Sequence, residues 1–255
     1  MYPPPDGQTP GYPETSQPRY VKVRLPHATP VVTYTLLGIT VAVFLVQLVT
    51  EFVLGYDLAS AIGLKVNELI ISGQVWRLIT PMFLHGTILH IGFNMYALFA
   101  LGPALEGYYG HGRFLALYLL SGFAGNVVSF LFSANPSLGA STAIFGLIGA
   151  EAIFLYRNRS ILGAQAQRAL GNVIFILVIN MVLGLSPGID FWGHIGGLLG
   201  GTFFAWFAGP QFRVEGGYLD PQLVDERDQT SALIFGILDF AIFAALAAMK
   251  ILRGY

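Results

Sequence analysis

The sequence contains no cysteine and few charged residues. Without cysteine there is no disulfide, no thiolate nucleophile and no cysteine-based zinc site. Asp, Glu, Lys and Arg make up 11% of the 255 residues, whereas soluble domains contain about 25%. The net charge of −1 offers no basic surface for nucleic acid. With 55% hydrophobic residues, the composition indicates a polytopic membrane protein that has the lipid bilayer as a partner.

Stretches without charge mark the predicted transmembrane spans. About 20 apolar residues are needed to cross the hydrocarbon core as a helix. Seven spans are predicted, of which the third and fourth share one run that breaks at Pro136, and the last is interrupted by Asp239. The runs are 31–50, 78–105, 114–150, 169–189, 191–208 and 231–251. The predicted fold class is therefore all-α, a helical membrane bundle.

The domain organisation follows from these runs. Residues 1–30 hold eight of the 14 prolines, and a segment of this composition predicts a disordered cytosolic tail. Residues 31–209 form a predicted six-helix transmembrane core. Residues 210–230 are a predicted linker, and residues 231–255 contain the seventh transmembrane helix and a short tail.

The distribution of lysine and arginine predicts the orientation. Cytoplasmic loops of membrane proteins are enriched in Lys and Arg. With the N-terminus inside, nine of the 13 basic residues fall on the inner side, and the short segment 157–168 alone holds three Arg. We therefore expect a multi-pass protein with its N-terminus in the cytoplasm, in the plasma membrane of a bacterium.

In this topology, four polar residues from three helices lie at one depth. His90 and Asn94 fall near the outer end of span two, Ser141 in the first turn of span four and His194 in the first turn of span six. Polar residues inside a membrane are costly and by default mark functional sites. A serine and a histidine are suited to act as nucleophile and general base. His90 and Asn94 share a helix face and both can donate hydrogen bonds to an oxyanion.

Each of these residues also has a purely structural interpretation. The stretch around Ser141 is rich in small residues and is also typical of a helix-packing surface, while a histidine or asparagine in a span often satisfies an interhelical hydrogen bond. His85 and His90 are five residues apart and lack a nearby carboxylate, so no metal site is expected. The shared depth favours the catalytic interpretation.

Glycines predict close contact between spans four and six. Span six contains three overlapping Gly-xxx-Gly pairs, at 193/197, 196/200 and 197/201, and span four contains Gly139, Gly146 and Gly149. Such pairs allow two helix backbones to approach closely. If the spans meet through these faces, Ser141 and His194 come within hydrogen-bond reach.

These motifs together resemble those of the rhomboid intramembrane serine proteases. The resemblance covers residues 31 to 209. The matching stretches are Trp76-Arg77, His85-Gly-Thr-Ile-Leu-His90-Ile-Gly-Phe-Asn94, Glu106 with Gly110, Gly139-Ala-Ser141 with Phe145 and Gly146, and Gly193-His194-Ile-Gly-Gly197-xxx-Gly201. An extra helix after a six-helix core is similar to one branch of the family.

The resemblance implies a role for each residue. Ser141 would be the nucleophile, His194 the general base, and His90, Asn94 and the Ser141 backbone N–H the oxyanion hole. Phe145 would lie against the base and beside the bound substrate. Trp76, Arg77 and Glu106 would be structural supports.

The implied substrates are single-span membrane proteins, cleaved near the outer face of the bilayer. The resemblance implies no cofactor. The sequence departs from the family at Thr142, where glycine is frequent. We expect activity to survive, because Thr142 should point away from Ser141.

Two other functions stay open. An inactive rhomboid-like protein that binds membrane clients is the alternative that Thr142 leaves possible. A transporter that uses Glu151, Asp239 and the histidines would need polar residues in line across the bilayer. We also expect Asp239 to dock span seven onto the core, with Asn180 as a partner, and Glu151 to pair with Arg157 or with a neighbouring helix. The oligomeric state is not predicted.

Overall fold

A computed structural model describes residues 25, 28–216 and 221–254. The tail predicted over residues 1–30 lies outside the described residues except for 25 and 28–30. The described elements, in chain order, are α1 (Val31–Leu54), α2 (Leu58–Gly63), α3 (Asn67–Ile71), two short 3-10 turns (Val75–Leu78 and Thr80–Phe83), α4 (Ile88–Phe132), α5 (Ser141–Arg157), α6 (Arg159–Leu162), α7 (Ala164–Leu183), α8 (Phe191–Ala208), β1 (Phe212–Glu215), β2 (Gln222–Asp225) and α9 (Gln229–Arg253).

The protein is a helical polytopic bundle, as predicted. Helices α1, α4, α7 and α9 are each long and apolar enough to cross a membrane. Helix α4 has 45 residues and breaks at Gly110, whose φ of 73° and ψ of 163° are not helical. The two parts of α4, with α5 and α8, correspond to predicted spans two, three, four and six. The fifth span was predicted over 169–189, but α7 ends at Leu183 because a turn through Ser186 and Gly188 follows it.

The core consists of the second part of α4 with α5 and α8. Glycines bring α5 and α8 into backbone contact, since a Cβ on Gly197 would collide with the carbonyl oxygen of Thr142 and a Cβ on Gly201 with the backbone of Gly146. Gly196 in turn faces α4, where its Cβ would lie 2.5 Å from the Cβ of Val128. The close contact predicted from the glycine pairs is therefore confirmed.

Helix α1 lies outside this core and is attached at its N-terminus by a carboxylate. The first turn of a helix has unpaired backbone N–H groups. Glu106, fully buried, accepts hydrogen bonds from the backbone N–H groups of Val32 and Thr33, both at 2.8 Å, and from the Thr33 hydroxyl at 2.7 Å. His111 adds a contact to the same carboxylate at 2.6 Å.

The segment between α1 and α4 is held together by hydrogen bonds from side chains to backbone carbonyl oxygens. Arg77 donates to the carbonyl oxygens of Ala61 and Leu64, and the Trp76 indole donates to the carbonyl oxygen of Ile62 at 3.1 Å. These bonds hold α2 against the 3-10 turn that follows α3. Trp76, Arg77 and Glu106 thus all contact backbone at the ends of helices, in line with the supporting roles that the resemblance implies.

Helix α9 packs against α4 and α8 by aromatic contact. The rings of Phe123 and Phe240 stack with centroids 4.9 Å apart, and Phe243 is buried. Asp239 is buried too, but neither of its carboxylate oxygens has a partner among the described residues. Asn180 donates to the carbonyl oxygen of Ile176 in its own helix instead. The predicted pairing of Asn180 with Asp239 is therefore wrong, because an exposed amide in a helix is satisfied by the carbonyl four residues earlier.

The predicted linker contains an antiparallel hairpin, which the sequence analysis missed. Strands β1 and β2 pair from Phe212 opposite Asp225 to Glu215 opposite Gln222. An ion pair of 2.7 Å between Arg113 and Asp225 attaches the hairpin to α4. Arg157 bonds to Gln211 and to the carbonyl oxygen of Trp206, and within the described chain no ion pair joins it to Glu151.

Candidate active site

The site is centred on a serine and a histidine from two different helices. Ser141 is the first residue of α5 and His194 lies in the first turn of α8. Their side chains are 3.0 Å apart, measured from Oγ of Ser141 to Nε2 of His194. This contact depends on the glycine packing of α5 against α8, because a larger residue at Gly197 or Gly201 would separate the two helices.

Gly139 permits the approach of the second histidine. Its φ of 132° is a conformation that side-chain-bearing residues rarely adopt, and a Cβ there would lie 2.7 Å from Nε2 of His90. The same point is 3.7 Å from Oγ of Ser141. Glycine at this position therefore leaves a space that is bordered by both the serine hydroxyl and the His90 imidazole.

The His194 imidazole is held by shape more than by hydrogen bonds. The Phe145 ring, one helical turn after Ser141, stacks on it with centroids 4.1 Å apart and an interplanar angle of 16°. On another side Gly184, at the end of α7, comes so near that a Cβ would lie 3.1 Å from Nδ1 of His194. Nδ1 has no hydrogen-bond partner in the described part of the chain. The orientation of the imidazole is therefore set by packing against Phe145 and the backbone of Gly184.

His90 and Asn94 lie one turn apart near the start of α4, as predicted. The Asn94 side chain is 6% exposed and donates to the carbonyl oxygen of His90 at 2.9 Å. The second amide hydrogen of Asn94 is not used in this bond. His90 borders the space beside Gly139, whereas Asn94 lies one turn deeper along α4.

Thr142 points away from the dyad, into a notch made by two glycines. A Cβ on Gly125 of α4 would lie 2.6 Å from the Cβ of Thr142, and one on Gly193 of α8 would lie 3.0 Å from its Cγ2. The threonine side chain, 4% exposed, therefore fills space that glycine leaves on two neighbouring helices. The side chain that departs from the family pattern is accommodated by packing rather than by displacement of Ser141.

Sequence reasoning missed His85 as part of this site. His85 is 1% exposed, and its Nε2 accepts a hydrogen bond of 3.4 Å from the backbone N–H of Ala140, next to Ser141. Burial, with a smaller effect of His90, lowers the pKa of His85 to about 4, which keeps the ring neutral and able to accept. Gln47 of α1 fixes the backbone of His85 through two bonds, at 3.0 and 3.2 Å. The spacing of the two histidines was considered only for metal binding.

A second missed group lies at the start of α8. Asp190 is the N-cap residue of this helix, with Oδ1 accepting from the backbone N–H of Gly193 at 3.0 Å. Its other oxygen, Oδ2, accepts a hydrogen bond from the Ser129 hydroxyl of α4. An aspartate directly before a helix is a recognisable cap signal, and this signal could have identified it. Among the described residues, no group of three or more His, Asp or Glu is placed to bind a metal ion.

The fold and the site define an integral membrane protein with a serine–histidine pair between buried helices. The Rhomboid domain family matches residues 72–211, more than half of the chain. The chain belongs to the rhomboid family. It is 42% identical over 178 residues to Rhomboid protease GluP of Bacillus subtilis (strain 168), across 69% of this chain and 34% of that protein.

Two relatives from Arabidopsis thaliana are also similar. RHOMBOID-like protein 9, chloroplastic, is 31% identical over 196 residues, across 74% of this chain and 45% of that protein. RHOMBOID-like protein 5 is 38% identical over 168 residues, across 64% of this chain and 53% of that protein. The chain thus spans between about a third and about half of the length of these relatives.

Proposed function

We propose that this protein is an intramembrane serine endopeptidase that cleaves single-span membrane proteins. The observation that carries the proposal is the 3.0 Å contact between Oγ of Ser141 and Nε2 of His194 at the ends of two buried helices. A nucleophile and a base within hydrogen-bond reach are the minimal requirement for acyl transfer. Membership of the rhomboid family and the similarity to a Bacillus protein named as a protease support it.

In the proposed reaction, Oγ of Ser141 attacks the scissile carbonyl carbon while Nε2 of His194 takes the hydroxyl proton. The tetrahedral intermediate collapses as His194 gives this proton to the leaving amine, which breaks the peptide bond and leaves an acyl ester on Ser141. Water then attacks the ester and gives a proton to His194. Collapse of the second intermediate releases the new carboxyl terminus, and the proton returns to Ser141.

The oxyanion formed in both steps needs hydrogen-bond donors that are already in place. The Ser141 backbone N–H at the start of α5 is one candidate, since the first four N–H groups of a helix have no intrahelical partner. His90 is the second candidate, because it borders the same space beside Gly139 as Oγ of Ser141. Asn94 is the third, with an amide hydrogen left after its bond to the His90 carbonyl.

Phe145 has two proposed effects. Its stacking on His194 holds the imidazole without a third carboxylate at Nδ1. Its ring also closes one side of the dyad, so we propose that it borders the bound substrate. The substrate reaches this site from the bilayer, with the N-terminus of the enzyme in the cytoplasm and the dyad near the outer face of a bacterial plasma membrane. The distribution of Lys and Arg supports this orientation.

The test is cleavage of a single-span reporter in proteoliposomes by wild type, Ser141→Ala and His194→Ala. Matched controls are Ser160→Ala, an exposed serine of α6, and His111→Ala, a half-exposed histidine beside the break in α4. We expect cleavage by the wild type and both controls and none above background by the two dyad variants. If no protein cleaves while all fold and bind the reporter, the protein is instead an inactive client-binding member of the family.

A further inference from the structure

Three of the described helices begin with an aspartate cap, and one of these caps lies next to the candidate active site. Asp57 caps α2, Asp228 caps α9 and Asp190 caps α8, each through a backbone N–H three residues later. Asp228 is at the surface, and its bond of 2.7 Å to Ser231 requires nothing from other helices. Asp57 also accepts a hydrogen bond from Gln47 of α1. Asp190 is different because it lies one turn before His194, at the candidate active site.

The second contact of Asp190 fixes its carboxylate from the side of α4. The Ser129 hydroxyl donates to Oδ2 while the Gly193 N–H donates to Oδ1. Because both oxygens act as acceptors, the carboxylate has the hydrogen bonds that an ionised group needs. Ser129 is itself fully buried. Asp190 therefore ties the beginning of α8 to the end of α4 and cannot rotate freely.

A buried lysine anchors the same region. Lys65 is fully buried, and its ammonium donates to the carbonyl oxygens of Ser133 and Asn135, at 3.0 and 2.8 Å, and of Ser129 at 3.4 Å. These carbonyls belong to the end of α4 and the loop that leads to Ser141. Burial lowers the pKa of Lys65 to about 8, and the nearby charge of Asp190 opposes this effect.

Asp190 lies close enough to His194 for its charge to act on the imidazole. The backbone N–H of His194 donates to the carbonyl oxygen of Asp190 at 3.1 Å, so the two residues are separated by one helical turn. Asp190 is the N-cap residue of α8, and one helical turn rises about 5.4 Å. In the proposed reaction His194 becomes positively charged, and its Nδ1 has no hydrogen-bond partner among the described residues.

We propose that Asp190 is a positioning residue for His194, which fixes the first turn of α8 and holds a negative charge one turn from the imidazole. This charge stabilises the imidazolium that forms when His194 takes the proton of Ser141. The inference rests on the proposed protease activity. No carboxylate is hydrogen-bonded to His194 in the described chain. The nearby charge of Asp190 takes the electrostatic role of that missing carboxylate.

Few other charged or titratable groups face His194. In the described part of the chain, α4 contributes His90, the segment between α1 and α4 contributes Lys65 beside Asp190, and α5 and α7 contribute the Phe145 ring and the backbone of Gly184. Among the groups near His194 in the described chain, Asp190 thus carries the only negative charge. Replacing it with a neutral residue leaves the imidazolium facing only neutral or positive groups.

The experiment measures kcat, KM and thermal unfolding for reporter cleavage by Asp190→Asn, with Asp228→Asn as the matched control. Asparagine caps a helix about as well as aspartate, so Asp190→Asn removes the charge and keeps the cap. Loss of a unit charge about one helical turn from the imidazole, in an environment near a protein surface, predicts a decrease in kcat of about 10- to 100-fold, with KM within about twofold. Asp228→Asn should have wild-type kcat and KM.

Two further variants keep the test decisive. If Asp190→Asn does not fold, Asp190→Ser replaces it in the same kcat and KM measurement, because serine also caps a helix without a charge. Ser129→Ala keeps both cap and charge and releases only Oδ2, so kcat should decrease about threefold, less than in Asp190→Asn. A wild-type kcat in both Asp190→Asn and Ser129→Ala, with Ser141→Ala inactive, would overturn this inference alone. A wild type that does not cleave would overturn the proposed activity and this inference with it.

Discussion

The inner helices α4, α5 and α8 and the outer helix α7 are built in opposite ways. Eleven of the 17 residues of α5 are buried, and its contacts with α8 depend on glycines that allow no side chain between the backbones. In α7 only Ala166 and Val173 are buried, while residues such as Phe175 and Val182 are exposed as in a lipid-facing helix. The Ser141–His194 pair lies entirely on the inner helices, and α7 contributes only the backbone near Gly184.

This difference indicates which parts of the molecule tolerate change. A hydrogen bond of 3.0 Å between two helices requires their separation to be fixed to a fraction of an ångström. Interiors packed to the density of crystals provide this accuracy. A helix with few buried residues can move without disturbing the dyad. Helix α1 is intermediate, because the Glu106 carboxylate attaches its end and a narrow buried stripe, formed by Leu36, Thr40 and Phe44, attaches the rest.

The largest effect is expected from a side chain between α5 and α8. In Gly201→Val the new side chain collides with the backbone of Gly146, so we expect unfolding free energy to decrease by more than about 3 kcal/mol and cleavage to be lost. Thermal unfolding and reporter cleavage measure both. The matched control is Gly171→Val on α7, where a Cβ has nothing within 4 Å. Equal effects of the two variants would contradict the contrast between inner and outer helices.

The next effect concerns the attachment of α1. Glu106→Ala removes the acceptor of three hydrogen bonds from the first turn of α1. Hydrogen bonds to charged groups contribute about 1.5–3 kcal/mol, but bonds within one network are not additive. We expect a loss of stability of about 2–3 kcal/mol, with a smaller loss in Glu106→Gln, which keeps one acceptor oxygen. Thermal unfolding in detergent is the measurement. Unchanged stability in Glu106→Ala would show that α1 is held by its buried stripe alone.

A smaller effect is expected at Thr142. Its side chain fills the notch between Gly125 and Gly193, and its hydroxyl has no partner among the described residues. Thr142→Gly leaves a cavity and should cost about 1–2 kcal/mol. Thr142→Val keeps the shape, removes an unsatisfied hydroxyl and should be neutral or slightly stabilising. Both should cleave within about threefold of wild type, and a large gain in activity for Thr142→Gly would contradict this packing role.

The smallest effect is expected at Asp239. Because its carboxylate is buried without a partner in the described chain, Asp239→Leu should leave the melting temperature unchanged or raise it. Phe243→Ala, on the same helix, removes a buried ring and should lower it. A clear loss of stability in Asp239→Leu would instead support the docking role expected from the sequence.

The helices and their order could be predicted from the sequence, because membrane spans leave long runs without charge. The contact between Ser141 and His194 could also be predicted, because each residue follows a loop and starts a span on the same side. The network of Asp190, Ser129 and Lys65 could not, since it joins residues up to 125 positions apart that share no local pattern. Asn180 was assigned to Asp239 on polarity alone, although its own helix offers a nearer acceptor.

Labelling of Ser141 with a fluorophosphonate tests the central claim most directly. The probe forms a bond between phosphorus and a nucleophilic serine oxygen, fluoride leaves, and the serine proton passes to a base, so adduct formation requires an activated serine. We predict a single adduct on the peptide that contains Ser141, found by mass spectrometry of the purified protein and absent in His194→Ala. An adduct that forms equally fast in His194→Ala, or no adduct in folded wild type, would contradict the account.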